Sequence, residues 1–296
     1  YAPKSEYQKV TTGTTDSQLE MTRKLELSYN EFRKLEAYAR SLELEVFSTP
    51  FDMESIDFLA SEKQKVWKIP SGELTNLPYL EKIASLPIEG KSVVISTGMA
   101  TIEEIKDALS VLEKNGMKKE EITILHCNTE YPTPYEDVNL NAFYQLKTLF
   151  SDYNLGFSDH SVGYFAGLAA VPYGITFIEK HFTLDKNFEG PDHKASVTPE
   201  ELKLLCEGIR AVEKSLGSSE KIVTVSEAKN KIVARKSIIA ARPIKKGETY
   251  TTENLTTKRP GNGISPMRWY DILGKDAEMD FEEDQLIQDS RFSNQE

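Results

Sequence analysis

Between about residues 44 and 182, short β-branched runs alternate with longer amphipathic stretches, and this alternation restricts the chain to a parallel-sheet architecture. The runs are LEVFS (44–48), KVWKI (65–69), SVVIS (92–96), ITILHC (122–127), YNLGFS (153–158) and GITFIEKHF (174–182). Segments such as TIEEIKDALSVLEKNG (101–116) lie between them, with apolar residues at helical spacing and Gly116 closing the pattern. A helix between two strands carries the chain back across the sheet, so successive strands run parallel. Six such strands are expected.

Parallel strands with intervening helices form either an open doubly wound sheet or a closed (β/α)8 TIM barrel. Polar residues decide between them. Ser48 and Thr49, Ser71 and Glu73, Ser96 and Thr97, Asn128 to Tyr131, Ser158 to His160, and His181 all fall at strand C-terminal ends. That distribution surrounds a barrel mouth, whereas an open sheet binds at one switch point, usually beside a glycine-rich first loop that is not found here. Six units do not close eight strands, and residues 1–27 read as a polar loop followed by the start of a helix. The expectation is an α/β TIM barrel, strands 3 to 8, that lacks the first two strands at its N-terminus.

Beyond residue 216 the texture changes. Residues 217–233 read as a linker, and 234–296 as a small, mostly β domain whose KKGE and RPGNG segments are turn sequences. The barrel domain then occupies residues 1–216. The net charge of −11 argues against nucleic acid as a partner, since phosphate backbones are held by surplus Lys and Arg. No run approaches a membrane span, so no membrane partner and a cytoplasmic location are expected. Two cysteines, Cys127 and Cys206, are too few for a disulfide framework.

His160 in FSDHS and His181 in IEKHF come from successive strands, so their imidazoles either converge on one divalent ion or serve as ordinary polar loop residues. Two nitrogens with open positions suit Mn²⁺, with Mg²⁺ or Co²⁺ as alternatives. His126 lies within a strand and is expected in the core. The period of two puts Phe177, Glu179 and His181 on one face and Ile178, Lys180 and Phe182 on the other. Glu179 is then either a partner that orients His181 or half of a buried ion pair. Lys68, Ser71 and Glu73, set around Pro70 and Gly72, fit an anion site or a solvated turn. GPDHKAS (190–196), with Asp192, His193 and Lys194, is either a substrate clamp or charged loop surface.

FSTPFD, KIPSGE, ISTGMA, LHCNTEYPTP, FSDHS, IEKHFTLD, GPDHKAS and KRPGNG occur in that order. Together they resemble the sialic acid synthase family, from near residue 1 to about residue 287. The resemblance implies a barrel followed by an antifreeze-like (SAF) domain, working as a domain-swapped homodimer. It implies that His160 and His181 bind the metal and that Thr49, Lys68, Ser71 and Ser158 contact phosphoenolpyruvate. Either Asn128 or Thr129 would join them, because the Cys127-Asn128-Thr129-Glu130 segment departs from some relatives in the position of its Asn. Glu73 and Asp192 would serve the acceptor sugar and proton handling, with Glu73 the first candidate near C2. Tyr131 would line the sugar pocket, and Arg259 would reach the sugar's N-acetyl group across the dimer.

The implied reaction joins C3 of phosphoenolpyruvate to the aldehyde carbon of open-chain N-acetylmannosamine. Water then attacks C2 and phosphate leaves by C–O cleavage, giving N-acetylneuraminate. A synthase for N,N'-diacetyllegionaminate or a related acid from a diacetylated, deoxygenated sugar is the alternative. An inactive carbohydrate-binding fragment is a third reading. The family's first two strands carry a glutamate and a Lys-Phe-Gln segment with no counterpart here, so an incomplete barrel with low activity is expected.

Overall fold

The computed structural model describes residues 3–13 and 17–292, which form two compact units dividing after Gly217. The first unit opens with α1 (Glu6–Thr12), α2 (Gln18–Leu25) and α3 (Tyr29–Ser41). Where a polar loop was expected at the start, Ser5 and Gln8 form a reciprocal capping box that begins α1, and Gly13 ends it at φ 61°.

The helix α4 (Met53–Ser61) precedes β1 (Val66–Ile69), and α5 (Leu77–Ser85) leads to β2 (Ser92–Ser96). Helix α6 (Ile102–Lys114) leads to β3 (Ile122–Cys127), then α7 (Tyr135–Val138) and α8 (Ala142–Leu149) to β4 (Asn154–Asp159). Helix α9 (Phe165–Ala170), β5 (Phe177–Lys180) and α10 (Pro199–Leu216) complete the unit.

The five strands pair in parallel in the order β1-β2-β3-β4-β5. The first of the six expected strands is corrected: residues 44–48 form no strand and pair with none among the described residues. A segment outside any ladder still needs its backbone groups satisfied. Here the Gln64 side chain does part of that work, accepting from the Ser48 N–H at 2.7 Å and donating to its carbonyl at 2.8 Å.

The sheet is curled. In a flat sheet β1 and β5 would stand about 19 Å apart, four strand spacings of about 4.8 Å. Yet Lys68 Nζ of β1 lies 3.3 Å from Glu179 Oε2 of β5, across the concave face. On the convex face Trp67, Ile69, Val93, Ile95, Ile122, Ile124, Leu155 and Phe157 pack against the helices in one core. The registered residues between them, Lys68, Val94, Leu125 and Ser158, point to the inside instead. This is the interior of a half-barrel, and Gly156 shows how closely it is filled. A Cβ there would lie 2.4 Å from Leu125 Cδ2 and 2.7 Å from the Phe177 carbonyl.

The second unit begins with α11 (Val225–Ala234), within the stretch read as a linker. It continues with the antiparallel pair β6 (Ser237–Ala240) and β7 (Leu255–Lys258). Its own core is built from Ile238, Ile244, Tyr250, Leu255, Ile272 and Phe281. Gly247 of the KKGE turn sits at φ 81°, the left-handed conformation its sequence predicts.

Candidate active site

Three strand-end loops meet first at Gly98, after β2. Its N–H donates to Ser71 Oγ at 3.1 Å, and a Cβ at this position would lie 2.5 Å from Thr129 Cγ2 and 2.8 Å from Ser71 Oγ. Glycine is what lets the ends of β1 and β3 close over β2. Thr129 therefore stands beside Ser71. Asn128 turns away, its Oδ1 accepting the Glu130 N–H at 2.8 Å and the Thr133 hydroxyl at 3.3 Å. Of the two residues left open from the sequence, Asn128 contributes its backbone carbonyl to the site while Thr129 contributes a side chain.

That carbonyl accepts from His160 Nδ1. A carbonyl only accepts, so the Nδ1 carries the proton and the Nε2 presents its lone pair. His160 is 5% exposed. Burial, with a smaller push from His181, lowers its pKa to about 4 and keeps the ring neutral at pH 7. Its Nε2 lies 3.2 Å from Ser158 Oγ, whose single proton points to Glu179 Oε1 at 2.6 Å. With that proton committed, the Nε2 lone pair has no donor from Ser158. Glu179 also holds Lys68, so a path runs from Lys68 through Glu179 to Ser158, whose oxygen stands beside His160 Nε2 with no proton between them. Of the two readings of Glu179, the structure shows the ion pair, here with Lys68 across the sheet, and no contact that orients His181 is found among the described residues.

The His160 and His181 ring centroids are 5.3 Å apart and nearly perpendicular. His181 Nδ1 lies 3.9 Å from Asp192 Oδ2, while Asp192 Oδ1 is buried with no hydrogen-bond partner. Burial raises the Asp192 carboxyl against the lowering influence of His181, His193 and the Tyr7 hydroxyl. A neutral imidazole with a free lone pair and a second imidazole beside it are donor types that a divalent cation takes. Among the described residues no group of three or more His, Cys, Asp or Glu is arranged as a ready cage, so substrate or water would supply the remaining positions.

Tyr131 is wedged into this cluster, stacked on His160 at 4.0 Å and edge-on to His181 at 5.2 Å. The aromatic column extends further than the sequence indicated. Tyr7 of α1 stacks on Tyr131 at 5.0 Å, and burial together with Asp192 pushes its hydroxyl pKa up to about 12. Cys127, on the inner face, lies 3.8 Å from Ser71 Oγ and 3.9 Å from His160 Nδ1, and burial raises its thiol pKa. His126 is a core residue, as expected: its Nε2 meets the Val138 carbonyl at 2.8 Å and its ring packs on Phe143. In the 190–196 loop, His193 Nδ1 bonds the Thr183 hydroxyl at 2.8 Å.

Other candidates stand outside these contacts. Glu73 accepts from Asn76 of its own turn at 2.6 Å. Thr49 is half-buried in the irregular 44–50 segment, next to Pro50, whose carbonyl the Tyr79 hydroxyl holds at 2.7 Å. Arg259 belongs to the second unit, where its Nε donates to the Ala234 carbonyl at 3.0 Å.

A curled parallel sheet with charged and imidazole side chains at its C-terminal edge defines a barrel-type enzyme scaffold. The family assignment follows from comparison with known proteins. The NeuB family profile matches residues 1–221 and the SAF domain profile residues 235–293. The chain belongs to the NeuB family, the sialic acid synthase family its motifs resemble. It is 51% identical over 288 residues to the N,N'-diacetyllegionaminic acid synthase of Campylobacter jejuni, covering 97% of this chain and 85% of that protein. Human N-acetylneuraminate-9-phosphate synthase is 33% identical over 276 residues, 93% of this chain and 75% of that one. The crystal structure of N-acetylneuraminic acid synthetase from Leptospira borgpetersenii matches with a TM-score of 0.65 at 32% identity, over 72% of each chain. Among the described residues no helix is long and apolar enough to cross a membrane.

Proposed function

We propose that this chain is a nonulosonic acid synthase that condenses phosphoenolpyruvate with an N-acetylated hexosamine at a divalent-metal site. The observation that carries the reading is the chain Lys68–Glu179–Ser158 across the inner face, ending 3.2 Å from the His160 imidazole, which supports a cation for phosphate or carboxylate close to a metal-binding lone pair. Lys68, with Ser71 and Thr129 nearby on the same rim, holds phosphoenolpyruvate. His160 and His181 hold the metal, Mn²⁺ being the first choice, with substrate or water oxygens in the remaining positions. When bound, the metal acts as a Lewis acid on the acceptor's aldehyde oxygen.

The new bond forms between C3 of phosphoenolpyruvate and the aldehyde carbon, and the developing alkoxide takes a proton. Water adds to C2 and gives up one proton to the phosphate, the bond between C2 and the bridging oxygen breaks, and inorganic phosphate leaves with that oxygen. Asp192, whose Oδ2 lies 3.9 Å from His181 Nδ1, handles the proton at the acceptor oxygen. Glu73 keeps its role near C2 as a proposal, released from Asn76 when substrate is bound. Arg259 acts on the acetamido group from the second subunit of a homodimer.

The 51% identity to a diacetyllegionaminic acid synthase favours a diacetylated, 6-deoxy acceptor. N-acetylmannosamine is the second reading, supported by the likeness to the Leptospira sialic acid synthetase. The test is phosphate release from phosphoenolpyruvate by metal-stripped protein, with Mn²⁺ added back and each sugar supplied in turn. Release that requires sugar and metal sustains the reading, and the faster sugar identifies the acceptor. Sugar binding without phosphate release under any condition would replace it with a carbohydrate-binding role.

A further inference from the structure

The candidate site has a wall that comes from outside the barrel strands. Tyr7 lies on α1, a helix of seven residues more than fifty positions before β1 in the chain. Its ring stacks on Tyr131 with 28° between planes, and Tyr131 in turn stacks on His160. Its hydroxyl is close enough to Asp192 for each to influence the other's charge. Tyr7 thus stands against the Tyr131 ring and beside the Asp192 carboxylate, both of which adjoin the histidine pair. A half-buried aromatic face with a polar tip is the surface that sugars select, apolar C–H groups on the ring and hydroxyls at the tip.

We propose that Tyr7 is an acceptor-binding residue, forming with Tyr131 and Asp192 the sugar side of the site. This rests on the synthase reading above. The ring supplies a platform and the hydroxyl a donor, so the two contributions separate by substitution. Removing the ring costs acceptor affinity about tenfold or more, as for other substrate-shaped pockets. Removing only the hydroxyl costs about two- to tenfold, the range of one hydrogen bond.

The experiment uses the full chain as wild type, Tyr7→Ala, Tyr7→Phe and Val10→Ala. Val10 shares α1 but is 77% exposed, so it controls for damage to the helix itself. Phosphate release is measured against varied phosphoenolpyruvate and varied sugar, and N-acetylmannosamine and the diacetylated 6-deoxy sugar are titrated calorimetrically onto Mn²⁺-loaded protein. The expected result is an acceptor KM that rises about tenfold in Tyr7→Ala and less in Tyr7→Phe. The phosphoenolpyruvate KM stays within about twofold, and Val10→Ala matches wild type. An unchanged acceptor KM, a parallel rise for phosphoenolpyruvate, or the same loss in Val10→Ala overturns the assignment while leaving the synthase reading intact. If wild type turns over neither sugar but binds one, weaker binding in Tyr7→Ala sustains Tyr7 and sinks the synthase reading. Binding of neither sugar sinks both.

Discussion

The Lys68–Glu179 pair yields the sharpest energetic prediction because its members are unequally buried. The Lys68 side chain is 7% exposed and that of Glu179 31%. Replacing Glu179 by Leu leaves an ammonium buried with no anion, a loss of about 3–5 kcal/mol for a fully enclosed pair. Water reaches the exposed third of Glu179, which lowers this to about 2–3 kcal/mol. Replacing Lys68 by Met is milder, about 1–2 kcal/mol, since Glu179 keeps its Ser158 bond at 2.6 Å and its access to solvent. The double variant Lys68→Met/Glu179→Leu removes both charges and should recover most of the loss, giving a coupling of about 2–4 kcal/mol.

Trp67, fully buried beside Lys68, reports this directly in a Trp269→Phe background that silences the tryptophan of the second unit. For a unit of this size each kcal/mol moves Tm by about 2–4 °C, so Glu179→Leu should melt about 4–12 °C below wild type. The double variant should melt near wild type yet show a phosphoenolpyruvate KM raised at least about tenfold, because the charge-assisted contact is gone. The reasoning fails if the two single losses add, with coupling below about 0.5 kcal/mol. It fails equally if Lys68→Met costs as much as Glu179→Leu.

Gly156→Ala places a methyl against Leu125 Cδ2 and the Phe177 backbone, and should destabilise the first unit by about 1–3 kcal/mol in urea unfolding followed by Trp67. His160 makes metal-free stability depend on acid. With its pKa about 4 in the folded state against an ordinary value near 6.5, the unfolded chain binds the extra proton between those limits. The contribution is complete above about pH 6.5 and fades as pH falls towards 4, about 3 kcal/mol in all, and His160→Gln should flatten that part of the profile in EDTA.

Much of the site was legible because a strand sorts its side chains by parity. Glu179 and His181 were placed on one face by period alone, and the same rule sets Ser158 and His160 apart from Asp159. The unpaired stretch at 44–48 shows where the rule stops. Its β-branched and aromatic residues favour a strand, but a strand also requires a partner ladder, which residue types do not supply. The role of Asn128 was hidden because a carbonyl contact leaves no trace in side-chain identity. Tyr7 was missed for a related reason: α1 reaches the rim through tertiary contact with Tyr131, and no spacing rule links positions so distant in the chain. The Ser5 and Gln8 capping box was the available signal that a helix, and with it a fixed tyrosine, begins there.

Parity also separates two ion pairs that composition would treat alike. Lys180 alternates with Glu179 and so points outward, where its Nζ lies 2.9 Å from Asp159 Oδ2 with side chains 4% and 0% exposed. Asp159 Oδ1 is held further by the Ser161 N–H and hydroxyl at 2.9 and 2.7 Å. This outer pair is drier than Lys68–Glu179 and lies on the face away from the histidines, so it ties β4 to β5 and has no substrate to meet. Burial lowers the Lys180 pKa despite the neighbouring Asp159, which shows how costly the enclosure is. Lys180→Met therefore leaves a buried carboxylate unpaired and should destabilise the first unit by about 3–5 kcal/mol, more than either inner substitution. Protein that remains folded at low temperature should keep its phosphoenolpyruvate KM, whereas Lys68→Met shows the reverse, a small loss of stability and a large loss of binding. A shift in phosphoenolpyruvate KM on Lys180→Met would mean that the two faces of β5 are coupled and that the inner path cannot be assigned to substrate alone.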